Sequence, residues 1–195
     1  MISKKNLIFV SRFNLFYSKR CLFKDGIFGK GKRMKYSEKR IIGYSMDQMF
    51  EVVSDVEKYY QFVPYCKKSD IFNKSYRTFK ANIVVGFPPL KEAYVSTITV
   101  SKPNLVHSVA SGGILFNELL TIWKFRPGLL EIPKSCILDF SVSFEFRHAL
   151  HSQFAEIFFD HIVIMMVDAF LKRAEDIYGP GSLEKQPPKI ISYEK

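Results

Sequence analysis

The side chains able to do acid–base, nucleophilic or metal chemistry are few and scattered. His107, His148, His151 and His161 are the four histidines of the chain. His148 and His151 fall near a strand–helix junction with Glu145 close in sequence. That trio follows no ligand spacing such as H-E-x-x-H. His161 sits in an apolar helical stretch and reads as a hydrogen-bonded core or cavity-wall residue. Cys66 stands beside Lys67 and Lys68, which would favour its thiolate, but no motif supplies a base. Gly112-Gly113 lacks the strand–loop–helix context of a phosphate cradle. Glu118 and Arg126, toward opposite ends of one expected strand, would orient a ligand headgroup or lie in solvent. No acid pair and no nucleophile–base set emerges, so no catalytic residue, catalytic cofactor or metal ligand is assigned.

The elements that must position these residues are legible from period. A β-prone run at 40–44 leads into Ser45, a good N-cap for a helix over 46–53, with Asp47 in its first turn. Asp55 starts a second short helix that Pro64 ends. Strands are expected over 67–73, 76–86, 91–101, 105–111, 116–126 and 135–146. In the last, Cys136, Leu138, Phe140, Val142, Phe144 and Phe146 face one way, and Asp139, Ser141, Ser143, Glu145 and Arg147 the other. A helix of roughly 28 residues then runs from about 150 to 178. Short hairpin connections make the strands an antiparallel meander, and one long helix must bury its face against it, an α+β architecture.

Charge is segregated. Residues 1–35 hold seven Lys, three Arg and one acid, Asp25, so they carry +9 of the net +10. The rest is near neutral, which argues against a nucleic-acid partner. Hydroxyls at Ser3, Ser11 and Ser18 and apolar residues between the charges give the segment the composition of a mitochondrial transit peptide and linker. A retained basic arm binding RNA or anionic lipid is the alternative. The domain is expected over 36–178, and 179–195, with Gly179-Pro180-Gly181 and Pro187-Pro188, as a flexible tail. Cys66 and Cys136 are the cysteines of the domain, and without C-x-x-C neither a disulfide framework nor a zinc site is indicated. No apolar run approaches the roughly 20 residues of a membrane span.

A bent sheet around one helix leaves a space that side chains fill or leave open, and such concave apolar spaces are the usual small-molecule sites. Met165 and Met166 with Phe154, Phe158 and Phe170 on the helix, and Trp123 sharing a strand face with Leu119 and Phe125, favour an open, oily pocket. A filled core is the alternative. Alternate hairpins of a meander lie at one end, which groups Phe87, Pro88, Pro89 and Leu90 with Ile114 and Leu115, where the last strand feeds the helix. Apolar turn tips side by side suggest a mouth touching lipid or a partner; folding back to plug the core is the alternative.

With these elements in place the chain resembles a known family. The order of elements is that of the helix-grip fold of START-like domains, which include polyketide cyclases. Residues 62–69 (FVPYCKKS), 85–92 (VGFPPLKE), 119–125 (LLTIWKF) and 142–146 (VSFEF) resemble mitochondrial coenzyme Q-binding proteins over about 36–178. The resemblance implies a non-enzymatic lipid chaperone or carrier that holds ubiquinone in a hydrophobic cavity, peripheral on the matrix side of the mitochondrial inner membrane. Such proteins serve quinone function in respiration and efficient ubiquinone biosynthesis. Expected partners are ubiquinone or its late biosynthetic intermediates, the inner-membrane surface, and respiratory or quinone-biosynthesis complexes. The family's proline and strand tryptophan map onto Pro64 and Trp123; its usual Trp after the proline is Tyr65 here. The expected cavity wall is Pro64, Tyr65, Leu119, Trp123, Phe144, Phe158, Met165 and Met166. A cyclase- or aromatase-type enzyme using the same cavity, or a module acting on a ribosome or respiratory complex, are the competing readings.

Overall fold

Ser45 and Gln48 close a reciprocal capping box: Gln48 N–H donates to Ser45 Oγ (3.2 Å), and Ser45 N–H donates to Gln48 Oε1 (2.9 Å). That box starts helix α1 (Met46–Ser54), which buries Met49, Phe50, Val52 and Val53. A single 3-10 turn (Val56–Lys58) and the one-turn helix α2 (Tyr59–Phe62) follow, and the extended backbone at Val63, imposed by Pro64, stops them. The computed structural model describes residues 33–87, 90–111, 113, 116–146 and 152–195. The segment expected as an import signal lies almost wholly outside them, at 1–32.

Eight antiparallel strands make one sheet: β1 (Arg33–Ile42), β2 (Cys66–Phe72), β3 (Thr78–Phe87), β4 (Leu90–Ser101), β5 (Leu105–Ser111), β6 (Phe116–Pro127), β7 (Cys136–Phe146) and β8 (Lys189–Glu194). Their order is β2-β3-β4-β5-β6-β7-β1-β8, a meander closed by β1 against β7. The curved sheet grips the long helix α3 (Ser152–Tyr178), whose Phe159, Val163, Val167, Phe170 and Ala174 are buried against it. The alternation expected for β7 holds, with Cys136, Leu138, Phe140, Val142 and Phe144 all in the core.

Two boundaries differ from the expectation. β1 is twice the expected length and begins at Arg33, inside the segment assigned to the basic tail. Its inward positions include Glu38 and Arg40, so the apolar alternation that marks a strand is interrupted by charge. The second difference is that 179–195 is not a loose tail. α3 ends at Gly179, whose φ of +81° favours glycine and whose N–H caps Glu175 O (2.9 Å). The chain then crosses Gly43 so closely that a Cβ there would lie 2.4 Å from Leu183 N. It continues into β8, which pairs with β1. Tyr193 O–H and Lys195 Nζ (2.7 Å) both donate to the Asp160 carboxylate on α3, and the Tyr193 ring packs on Phe159.

Candidate functional site

Between the sheet and the middle of α3 lies a partly open cavity of about 120 Å3. Cavities of about 150 Å3 accept a benzene-sized molecule, so this one is on the scale of a single ring. Its floor is aromatic: the Trp123 ring stands 4.4 Å from Phe140 and 4.6 Å from Phe170. Tyr59 and Phe62 pack edge-on against Phe170 at 5.2 and 5.0 Å, which joins α2 to the helix. Toward the end where β7 leads into α3, the walls are Leu119, Phe144, Phe158 and Met166. On the far side stand Ile83 and Val85 of β3, with Pro64 at the α2–β2 turn.

Six of the eight expected wall residues, Pro64, Leu119, Trp123, Phe144, Phe158 and Met166, line this space. Met165 does not. It is 36% exposed on the outer side of α3 beside exposed Ile164, because a helix advances about 100° per residue and Met166 already faces inward. Tyr65 is also absent from the lining. Its backbone is left-handed (φ +63°), and its ring lies beside Phe158 with the hydroxyl 3.5 Å from His161 Nδ1. His161 is likewise off the cavity wall. Of the expected mouth residues, Phe87 and Leu90 form the last pair of the β3–β4 ladder. Their side chains, and Pro88, Pro89, Ile114 and Leu115 entirely, lie outside the described residues. His148 and His151 do too.

Among the described residues, no Asp, Glu, Lys, Arg or His lines the cavity. Its ionisable groups are the weak acids Cys66, Tyr59 and Tyr94, and burial raises the pKa of all three, so they are neutral at pH 7. Glu118 and Arg126 are not headgroup ligands: Glu118 meets Arg33 (3.3 Å) and Arg126 meets Asp139 (2.7 Å) on the surface. Among the described residues no cluster of three or more His, Cys, Asp or Glu could hold a metal ion.

Glu38 and Arg40 are buried between β1 and α3, while a third buried charge, Glu92, lies on β4 two residues from the cavity-lining Tyr94. Glu38, 1% exposed, accepts from Tyr36 O–H and from Arg40 Nε and Nη2, while Arg40 Nη1 donates to Asp168 of α3 (3.0 Å). Lys185 Nζ completes the set on Asp168 (2.6 Å). The Tyr36 hydroxyl is pushed to a higher pKa, first by burial and then by its bond to Glu38. Desolvation works against the Arg40 cation, but the bonds to Glu38 and Asp168 outweigh it and strengthen its hold on the proton. This network fastens the helix to the sheet.

Sequence reasoning missed Tyr59, Tyr94, Ser96, Ser108 and Thr121 as cavity residues. The signal was available in β4, where Tyr94, Ser96 and Ile98 follow one another at the two-residue period of a strand face.

Residues 42–171 match the family model for polyketide cyclase / dehydrase and lipid transport. The chain is 51% identical over 152 residues to the mitochondrial Coenzyme Q-binding protein COQ10 of Drosophila melanogaster, covering 78% of this chain and 63% of the relative. It is 47% identical over 148 residues to COQ10 homolog B of Xenopus laevis, covering 76% and 61%. The chain thus spans under two thirds of the length of either relative. Among solved structures, the Zhui aromatase/cyclase from a Streptomyces species superposes with a TM-score of 0.64 over 74% of this chain and 94% of that one. At 14% identity that likeness is one of fold alone.

Proposed function

Because this chain belongs to the polyketide cyclase / dehydrase and lipid transport family, we propose that it binds coenzyme Q (ubiquinone) and serves as its carrier or chaperone. The observation that carries this reading is the cavity: small, walled by aromatic and aliphatic side chains, and, among the described residues, lined by no charge. The printed names of the relatives point to the same ligand. A polyprenyl quinone is nearly insoluble, and an enclosure stabilises it by roughly 25 cal/mol for each Å2 of apolar surface removed from water. Holding it without reaction requires no acid–base pair, and the neutral thiol and phenols of this cavity offer none. A cyclase or aromatase would need such a pair among the same residues, so the protein is read as a non-enzyme.

The relatives' names also support a mitochondrial location. The basic segment at 1–32 is taken as the import signal, and the working position as the matrix face of the inner membrane. No described helix is long and apolar enough to cross a membrane. The mouth residues Phe87, Pro88, Pro89, Leu90, Ile114 and Leu115 are proposed as the membrane contact. The proposed role is in respiratory electron transfer and ubiquinone synthesis, with complexes of either process as partners.

Trp123 is the sole tryptophan of the chain, so fluorescence reports cavity occupancy directly. Titration with a short-tailed ubiquinone is expected to quench Trp123 saturably, at one quinone per chain. Organic extraction of protein purified from its own organelle is expected to yield ubiquinone. A wild-type protein with neither saturable quenching nor extractable quinone refutes the reading; turnover of a polyketide-like substrate would establish the enzyme.

A further inference from the structure

Besides the phenols of Tyr59 and Tyr94, three aliphatic hydroxyl side chains stand on the cavity face among hydrocarbon. Ser96 of β4 is 1% exposed, and its Oγ lies 2.5 Å from Oγ of Ser108 on β5. Thr121 of β6 is directly opposite Ser108 in the ladder. All three line the cavity, one step along the sheet from Trp123 and Val106, which are themselves paired. Packing alone does not call for them, since Ala and Val would fill the same volume without burying polar atoms.

A hydroxyl carries one proton and two lone pairs. When Ser96 and Ser108 bond to each other they use one proton of their two. The pair therefore keeps one O–H donor whichever residue gives. Thr121 Oγ1 has no hydrogen-bond partner among the described residues, which adds a second donor. Two donors thus face a space of ring size, and each hydroxyl can turn to accept instead.

We infer that Ser96, Ser108 and Thr121 form the subsite for the oxygen substituents of a neutral quinone ring, with Trp123 and Phe140 against its face. This rests on the cavity being the quinone site. It adds which atoms recognise the ring and which rings are refused. A quinone carbonyl accepts from the hydroxyls, and a quinol O–H donates to them, so both oxidation states are held. A ring bearing a carboxylate is refused, because among the described residues no cation lines the cavity to offset the loss of its hydration.

The test is calorimetric titration of the full chain with two probes. One is a ubiquinone bearing two isoprenoid units; the other is farnesene, a prenyl hydrocarbon with neither ring nor oxygen. The variants are Ser96→Ala/Ser108→Ala, which removes both partners and leaves no orphan, and the near-isosteric Thr121→Val. Each is expected to weaken quinone binding roughly three- to tenfold, with farnesene affinity changed less than about twofold. Wild type is expected to bind the quinol within about threefold of the quinone, and a benzoate with the same tail at least roughly tenfold more weakly. Unchanged quinone affinity in both variants overturns the subsite while leaving the carrier reading intact. Equal loss of quinone and farnesene overturns it as well, since the effect is then one of packing. Failure of wild type to bind any quinone overturns the carrier reading itself.

Discussion

Replacing Trp123 by alanine tests whether the floor of the cavity also holds the fold together. The ring is 4% exposed and touches Phe140 of β7 and Phe170 of α3, so it ties the sheet to the helix. Truncating a buried Phe or Trp to Ala costs about 3–5 kcal/mol, more where the surroundings cannot collapse into the void. Here the new void joins an existing cavity of about 120 Å3 whose walls already stand apart, so the upper half of that range is expected. At about 2–4 °C per kcal/mol for a domain of this size, the melting midpoint should fall by roughly 8–20 °C. Trp123→Phe keeps an aromatic partner for both rings and should recover most of the loss. Quinone affinity, measured below the lowered midpoint, should drop by about two- to twelvefold in the alanine variant, the worth of one aromatic contact at about 0.5–1.5 kcal/mol. Thermal unfolding by circular dichroism and calorimetric titration give the two numbers. An alanine variant that melts within about 2 °C of wild type and binds quinone as well would refute the reasoning, because neither the clamp nor the floor would then involve this ring.

Three further outcomes follow from groups away from that floor. Arg40→Met leaves the buried Glu38 carboxylate without its cation and should cost about 3–5 kcal/mol in urea unfolding, whereas Glu38→Leu/Arg40→Met should cost clearly less; equal losses would mean the pair is solvated. Desolvation tends to raise the Asp160 pKa, but the bonds from Lys195 and Tyr193 outweigh it and hold the carboxyl below its ordinary value. Its stabilising contribution is therefore complete above the unfolded pKa of about 3.9 and lost as pH falls through the lower folded one. Exchange of the 189–194 amides should accelerate relative to β7 between about pH 4 and pH 2, and parallel behaviour of the two strands would exclude the clamp. Burial raises both domain thiols, Cys136 to about 12, so neither should react appreciably with a maleimide at about pH 8 in the folded protein. Cys66 lines the cavity, so over a long incubation bound quinone should slow its residual labelling; slow labelling of Cys66 that is measurable yet indifferent to quinone, read by mass spectrometry, would place the ligand elsewhere.

What could be read from the chain depended on whether a face was chemically uniform. β7 was legible because its inward residues are all apolar. β1 was half hidden because Glu38 and Arg40 occupy inward positions and satisfy each other, which local pattern cannot anticipate. α3 carries apolar residues on most of its sides, so period alone did not separate Met166, on the cavity, from Met165, in solvent. β8 was illegible for a different reason. Its segment follows Gly-Pro-Gly and Pro-Pro, and what orders it is distant: the Asp160 carboxylate, the Phe159 ring and the free edge of β1. The serines of β4 and β5 look like residues of a wet strand face, and only the curvature that encloses them makes them part of a binding site.

That enclosure bears on how a carrier selects its cargo. Moving a prenyl tail from water into an apolar cavity is favourable by about 0.8 kcal/mol per methylene, but a quinone in a bilayer already has its tail in hydrocarbon. Transfer from membrane to protein exchanges one oily surrounding for another, and the tail contributes almost nothing to the balance. Selection must therefore rest on what the hydrocarbon interior of a bilayer lacks: a fitted aromatic surface for the ring and fixed donors for its oxygens. A cavity of about 120 Å3 is far too small for a polyprenyl tail, which suits that division, since a larger greasy chamber would retain any prenyl lipid and release it slowly. The hydroxyls of Ser96, Ser108 and Thr121 are thus one source of the discrimination between a quinone and a plain isoprenoid, beside the aromatic floor, and removing them should narrow the carrier's preference for the ring.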